Sequence, residues 1–462
     1  MLEGIVMSGL YHRLAGRAGA LMVAGLLAVG CGDAPTGSSE LDDQVRFGLA
    51  AAQVTPLSPL PPSDPALVRL GQALMFDKVL SGNRDVSCAT CHDPAHSTAD
   101  GLSLSIGTGG SGSGPARQLA GAPQFTPRSS QELFNRGYPE FRSMFWDGRV
   151  SRSPSGDFAT PAGDRLPPGL SSALAAQAMF PVTTRLEMRG QVGDQDRFGA
   201  PNELAQFADD EQPAVWAAIM QRVLAIPEYV SMFQSAYPGV ATADLGFQHA
   251  ANAIAAFETD AFTFTDSPFD RYVRGDNGAL SDEEKQGAVL FFGKGGCGGC
   301  HVGAHLTDQQ FHSIGVPQIG PGFSPESPQD HGRERVTGEP DNRYQFRTPP
   351  LRNVELTAPY MHDGAYATLE GAVRHYLDTF SALRSYDAGQ LREDLRSTYL
   401  SDNATLDAMA GSIDNRVAVP LELTDADITA IVAFLKSLTD PAARDLAGSI
   451  PASVPSGLPV GD

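Results

Sequence analysis

The chain has 462 residues, with 54 acidic side chains against 33 Lys and Arg and a formal net charge of −21. That balance disfavours nucleic acid as a partner and adhesion to membranes through basic patches, and it suits docking by a basic protein. Only five cysteines are present.

From Met7 a short basic stretch (His12, Arg13, Arg17) precedes an apolar run over residues 18–29 and then Gly30-Cys31. This reads as a signal peptide, with an apolar region too short to span a bilayer. Glu3 fits a basic leader poorly, which places the translation start at Met7. Leu27-Ala28-Val29-Gly30-Cys31 resembles a lipobox, although Ala28 stands where leucine is commoner. Residues 1–31 are therefore expected to be a leader ending in a lipid-bearing Cys31, with an ordinary cleaved signal as the alternative. Either way the chain is exported, to a periplasmic location where lipid alone ties it to a membrane. Residues 32–62, rich in Pro, Ser and Gly, read as a flexible tether, and residues 441–462 as a flexible tail. What lies between, roughly 375 residues, suits two domains over 63–270 and 271–440.

Residues 64–76 carry Leu67, Leu70 and Leu74 at helical spacing, and Ser81-Gly82-Asn83 follows as a loop signal. Then comes the pentad Cys88-Ala89-Thr90-Cys91-His92, repeated later as Cys297-Gly298-Gly299-Cys300-His301. In Cys-x-x-Cys-His two thiols add across the vinyl groups of a haem, and the histidine supplies the fifth iron ligand. Two zinc half-sites or a thioredoxin-like Cys-x-x-Cys are the alternatives. Structural zinc usually closes four ligands from nearby spacings, whereas each pair here is isolated and ends in His. Two covalently bound haem c groups are expected, on Cys88, Cys91 and His92 and on Cys297, Cys300 and His301. Residues 244–262 form a further helical pattern with Ala251, Ile254, Ala255 and Phe257. Ser281 with Glu284 three residues on makes a capping box ahead of Leu290, Phe291 and Phe292. Thr424 can cap a helix whose Ile428, Ile431, Val432 and Leu435 form a one-sided stripe. The fold is expected to be mainly α, with Gly- and Pro-dense loops at 107–114 and 320–330.

Around the pentads lie Leu70-Gly71-Gln72-Ala73-Leu74-Met75-Phe76-Asp77, Phe145-Trp146-Asp147-Gly148-Arg149, Gly332-Arg333 and Val336-Thr337-Gly338. Thr348-Pro349-Pro350-Leu351-Arg352-Asn353 and Thr357-Ala358-Pro359-Tyr360-Met361-His362-Asp363-Gly364 follow. In this order the segments resemble the bacterial di-haem cytochrome c peroxidase and MauG family, from about Leu67 to Leu438. The resemblance implies two cytochrome-c-like haem domains packed face to face. The N-terminal haem would be the peroxide site and the C-terminal haem the point of electron entry. It further implies Trp146 as an electron relay between the haems, and Gln177, Pro181 and Glu187 as the distal pocket. A carboxylate such as Glu187 above the iron can carry a proton between the two peroxide oxygens as their bond breaks. Outside that register Trp146 would be assigned to packing and Glu187 to the surface.

Two departures from the family pattern matter. Peroxidases with a switchable resting state block the peroxide haem with a histidine where this chain has Thr108, which implies an open site; His96 lies too close to His92 to reach the far face. The distal ligand of the second haem is methionine in those peroxidases. Here the matching position, fourteen residues after His362, is Tyr376, as in MauG. Met361 and His375 compete with it, and packing is the plain alternative. A phenolate favours ferric iron, whereas Met raises the potential. The family also holds calcium between its domains; Thr357 and Pro359 match its carbonyl ligands, while Ser129 replaces an asparagine and is a weaker ligand. Residues 151–172 look like an insertion without a functional signal. The resemblance implies an enzyme that reduces hydrogen peroxide with electrons from a small donor protein, a cytochrome c or cupredoxin. A MauG-like oxidase acting on a protein or another bulky substrate, and a non-enzymatic electron-transfer cytochrome, are the alternatives. Tyr376 favours the oxidase over the peroxidase, and Thr108 argues against the closed cytochrome.

Overall fold

The computed structural model describes residues 38–120, 124–323 and 328–461; the leader and Cys31 lie outside the described residues. The protein is mainly helical. The helices that position the site are α1 (Ser38–Ala51), α2 (Pro65–Phe76), α3 (Ala173–Ala178), α4 (Phe247–Ala261), α5 (Asp282–Phe292) and α6 (Asp425–Ser437). None of the described helices is long and apolar enough to cross a membrane.

The helix starts follow local capping chemistry. The Asp64 carboxylate accepts the Ala66 N–H at 2.7 Å, Ser281 and Glu284 cap each other reciprocally at the start of α5, and Thr424 does the same with Asp427 for α6. The expected helix over 244–262 begins later, at Phe247, because residues Thr242–Asp244 close a 3-10 turn first.

Two helix crossings repeat the same device. A Cβ on Gly71 of α2 would lie 1.9 Å from the Ala253 carbonyl oxygen of α4 and 2.8 Å from Phe257 Cβ. A Cβ on Gly287 of α5 would lie 1.9 Å from the Ala430 carbonyl oxygen of α6 and 2.8 Å from Phe434 Cβ. Only glycine allows either approach. Strands are short: Ser143–Met144, Val150–Arg152 and Phe158–Ala159 form an antiparallel sheet, and Phe311–His312 pairs with Phe346–Arg347.

Both terminal segments differ from the expected tether and tail. Within 32–62, α1 packs on α5 through buried Leu41, Val45 and Leu49. Its buried Asp42 accepts from Tyr272 at 2.8 Å and pairs with Lys285 at 2.9 Å. The stripe at i, i+4 and i+8 is real, but the surrounding Pro, Ser and Gly mask it in composition. Within 441–462, Ala443, Leu446 and Val454 are buried among Phe76, Phe134, Phe257 and Phe262. The Ser456 hydroxyl donates to Asp77 at 2.6 Å, and the Gly461 carbonyl accepts from Lys78 at 3.0 Å. This stretch follows an irregular path, so its apolar residues have no period to read. Helix α1 thus packs on the C-terminal half, Leu57 beyond it on the N-terminal half, and the trailing segment on the N-terminal half.

A chain ending at Asp445 loses the burial of Leu446, Val454 and Leu458, each contributing about 1.5–3 kcal/mol. Thermal unfolding should then occur several degrees lower with helical circular dichroism retained at 25 °C, and an unchanged midpoint would show that the trailing segment does not stabilise the fold.

Candidate haem sites and distal pocket

The first pentad opens a short helix, Cys88–Cys91, in which the Ser87 N–H donates to the Thr90 hydroxyl at 3.0 Å. His92 Nδ1 lies 3.2 Å from the Thr98 carbonyl oxygen. In the second pentad His301 Nδ1 lies 2.9 Å from the Leu306 carbonyl oxygen. A carbonyl only accepts, so each Nδ1 carries the hydrogen and each Nε2 keeps a lone pair for a metal. Burial holds both imidazoles below their ordinary pKa, which favours that neutral form.

A cavity of about 940 Å³ lies against the first pentad, toward the top of the roughly 300–1,000 Å³ usual for cofactor sites. Cys88, Cys91, His92, Trp146, Gln177, Pro181 and Glu187 all line it. So do two buried donors that find no partner among the described residues, Gln131 Nε2 and Arg136 Nη1. A haem, with its two carboxylates, meets donors of that kind, and the thiols and free imidazole nitrogen suit its attachment. The residues present therefore fit the cofactor. Zinc does not fit as well: the one cluster of candidate ligands among the described residues, Cys300, Asp308 and His312, has Arg416 Nη1 3.7 Å from the sulfur and 3.3 Å from His312 Nε2.

The distal wall is built by α3, which Ser172 caps through the Ala175 N–H at 3.1 Å. Gln177 sits near its end, Pro181 opens the next turn, and Glu187 lies in a wide turn over Arg185–Arg189. Burial raises the pKa of Glu187 against the pull of Arg149, whose Nη2 is 3.9 Å from Oε1; Asp147 adds to the rise. Thr108 does not line the cavity. Its N–H donates to the Glu187 carbonyl at 3.0 Å and its hydroxyl to Asp85 at 2.8 Å. Buried Arg117 fixes that loop by donating to the carbonyls of Ile106, Gly107 and Gly112 at 2.6, 2.8 and 2.7 Å.

Trp146 lies where the two halves of the chain meet. Its indole N–H donates to the Ser129 carbonyl at 3.1 Å, and its ring meets His362 edge-on at 6.4 Å. His362 in turn stacks on Phe346 at 3.5 Å. Beside them buried Arg128 donates to Asp147 at 2.6 Å and to both oxygens of Asp330 at 2.6 and 2.9 Å. Burial opposes ionisation of these carboxylates, yet Arg149 and Arg128 hold Asp147 below the usual range and Arg128 does the same for Asp330.

Of the three ligand candidates for the second haem, His375 has both nitrogens engaged, with the Tyr366 hydroxyl at 2.8 Å and the Ile314 carbonyl at 2.6 Å. Met361 packs in the apolar cluster of Leu102, Leu104 and Tyr360. Tyr376 lies beside the second pentad: burial and then Cys297 and Cys300 push its phenol up.

The sequence model described as di-haem cytochrome c peroxidase matches residues 65–278. The methylamine utilization protein MauG of Methylorubrum extorquens is 31% identical over 355 residues, which is 75% of this chain and 80% of that protein. The chain belongs to the di-haem cytochrome c peroxidase and MauG family. It is thus an oxidoreductase that carries haem c. The cytochrome c551 peroxidase of Pseudomonas aeruginosa is 32% identical over 321 residues, 70% of this chain and 74% of that one. A solved MauG-like protein associated with microbial copper homeostasis is 26% identical with a TM-score of 0.56, covering 84% of this chain and 94% of that one.

Sequence reading missed the charged groups that set the pocket's electrostatics. Arg149 closes the Trp-Asp-Gly-Arg motif, and its place three residues after Trp146 is the signal in the sequence that points to it. Glu258 of α4 also lines the cavity, with one oxygen unpartnered among the described residues, and burial pushes it up to about 8; nothing in its sequence context marks it. Removing the cation near Glu187 should raise its pKa further. Arg149→Leu should therefore shift the acid limb of the reaction with peroxide to higher pH in stopped-flow traces, and a limb that stays in place would detach Arg149 from Glu187.

Proposed function

We propose that this family member reduces hydrogen peroxide at the haem held by Cys88, Cys91 and His92. Electrons enter through the haem held by Cys297, Cys300 and His301. One observation carries the reading: a single cavity is lined by His92 together with Gln177, Pro181 and Glu187, while the Thr108 loop stays outside it.

When bound, the haem supplies the iron that receives peroxide and the redox equivalents for cleaving it. Glu187 takes a proton from the near oxygen of the peroxide and returns it to the far one, so that the O–O bond breaks with water as the leaving group. Arg149 stabilises the carboxylate that exists before the first transfer and again after the second. The Gln177 amide orients the peroxide, and Pro181, without an N–H, adds no competing donor to the wall. Two electrons and two protons per peroxide complete the balance, giving two waters. Trp146 relays the electrons between two cytochrome-c-like domains, 63–270 and 271–440, packed face to face across the Arg128 ion pairs. A calcium ion on the Thr357 and Pro359 carbonyls belongs to the same reading, although the Ser129 hydroxyl is already 3.2 Å from the Met361 and His362 carbonyls. So do export to the periplasm, a lipid on Cys31 and a small donor protein, a cytochrome c or cupredoxin.

The second reading, a MauG-like oxidase of a protein or other bulky substrate, is favoured by Tyr376 beside the second pentad. A phenolate ligand there would lower the potential of that haem and let it share oxidising equivalents.

General acid–base groups typically contribute 10²–10⁴-fold, so Glu187→Gln should slow the reaction with peroxide by that factor, about 2.7–5.4 kcal/mol. The resting spectrum and reduction of the second haem should be unchanged; a parent-like peroxide rate would return Glu187 to the surface. Tyr376→Phe should alter the low-spin electron paramagnetic resonance signal of the second haem and raise its potential. Should His375→Ala or Met361→Leu abolish that signal instead, the oxidase reading loses its support.

A further inference from the structure

We infer that the outer face of α1 is the docking surface for a small basic electron-carrier protein; this rests on the reading that electrons enter through the second haem. Glu40, Asp43 and Phe47 recur at helical spacing on one side of α1 and form a groove of about 480 Å³ with Val289 and Phe292 of α5. Phe47 is 79% exposed, the most of any large apolar side chain among the described residues. The register that exposes it is fixed from the opposite face, where Leu41, Val45 and Leu49 are buried and Asp42 pairs with Lys285. Single exposed apolar residues are ordinary. This one stands out because it forms a groove with Val289 and Phe292 and because of where the groove leads.

Phe292 separates the groove from the second haem-attachment segment. A Cβ on Gly48 of α1 would lie 2.8 Å from Phe292 Cβ, and a Cβ on Gly298, between Cys297 and Cys300, would lie 2.8 Å from Phe292 Cδ1. Just past α1, the Ala52 carbonyl accepts the Gly303 N–H at 2.9 Å, two residues beyond His301. A carrier seated on Phe47 would therefore deliver its electron one side chain away from the pentad. That transfer oxidises the carrier by one electron and reduces the second haem by one; two transfers match one peroxide.

The charge of the groove selects the occupant. Glu40 and Asp43 line it without a Lys or Arg, and Asp282 and Glu283 in the first turn of α5 are exposed and acidic as well. The nearby cations are engaged: Lys294 is 3.9 Å from Asp427, and Arg46 bonds Asn277 and stacks over Tyr272 at 5.3 Å. An apolar centre inside an acidic rim suits a brief, charge-steered encounter with a basic partner. It repels an anionic lipid surface and a second copy of this chain, whose net charge is −21.

The test is stopped-flow reduction of the second haem in the holoenzyme by a reduced basic mitochondrial cytochrome c, at several ionic strengths. The parent rate should fall steeply with salt. Phe47→Ser should lower it several-fold, and Glu40→Lys with Asp43→Lys should lower it about tenfold at low salt and flatten the salt dependence. Reduction by dithionite, and peroxide consumption by the dithionite-reduced variants, should match the parent. Variants that keep the parent's rate and salt slope in an active enzyme would overturn the docking surface alone. So would a Phe47→Ser variant whose only change is loss of binding to anionic vesicles or of self-association in sedimentation. A dithionite-reduced parent that consumes no peroxide would overturn the functional reading, and this inference with it.

Discussion

Each half of the molecule hangs on a helix crossing that only glycine permits. At Gly71 and at Gly287 the facing carbonyl stands 1.9 Å from where a Cβ would be, so even alanine would force the helices apart. In both halves a phenylalanine one turn along the partner helix, Phe257 or Phe434, covers the glycine. Because the first helix of each pair leads toward a pentad, the crossing anchors the segment that carries the haem-bearing residues. The imidazoles are then aimed by one backbone carbonyl each, Thr98 and Leu306. Two unrelated loops thus give His92 and His301 the same tautomer.

The halves are joined by charge buried away from water. Desolvation cancels most of the Coulomb gain of such a pair, so the Arg128 contacts to Asp147 and Asp330 add little net stability, while loss of one partner would cost about 3–5 kcal/mol. What they supply is alignment. Arg128 and Asp147 come from the N-terminal half and Asp330 from the C-terminal half, 202 positions from Arg128. Trp146, next to Asp147, is thereby held against His362 and Phe346. A slip at this junction would change the spacing of the rings between the two pentads.

How much was legible in the sequence depended on how local the cause was. The pentads could be read because ligand and attachment residues are adjacent. The helix starts at Asp64, Ser281 and Thr424 could be read because a cap acts over three residues. The Arg128 pairing could not, since no local pattern points across 202 positions. Glu187 was found through family register alone; its neighbours in the chain look like ordinary surface. α1 was hidden by composition, and the trailing segment by its lack of period. Residues 151–172, which carried no signal, supply Ser151, Ala159, Thr160 and Pro161 to the cavity wall, because a three-stranded sheet folds them against Trp146's loop.

The cavity carries a stability cost that helps explain the packed termini. Gln131, Arg136 and Glu258 each leave a buried polar atom without a protein partner among the described residues, at about 1–3 kcal/mol apiece until a cofactor satisfies it. The burial of Leu446 and Val454 by the trailing segment falls on the same half of the chain as those groups. It acts on α2 and α4 through Phe76 and Phe257, the helices on which the Gly71 crossing depends. α1 serves the other half in the same way, through Val45 and Leu49 against α5. Each terminal segment therefore braces a glycine crossing from outside.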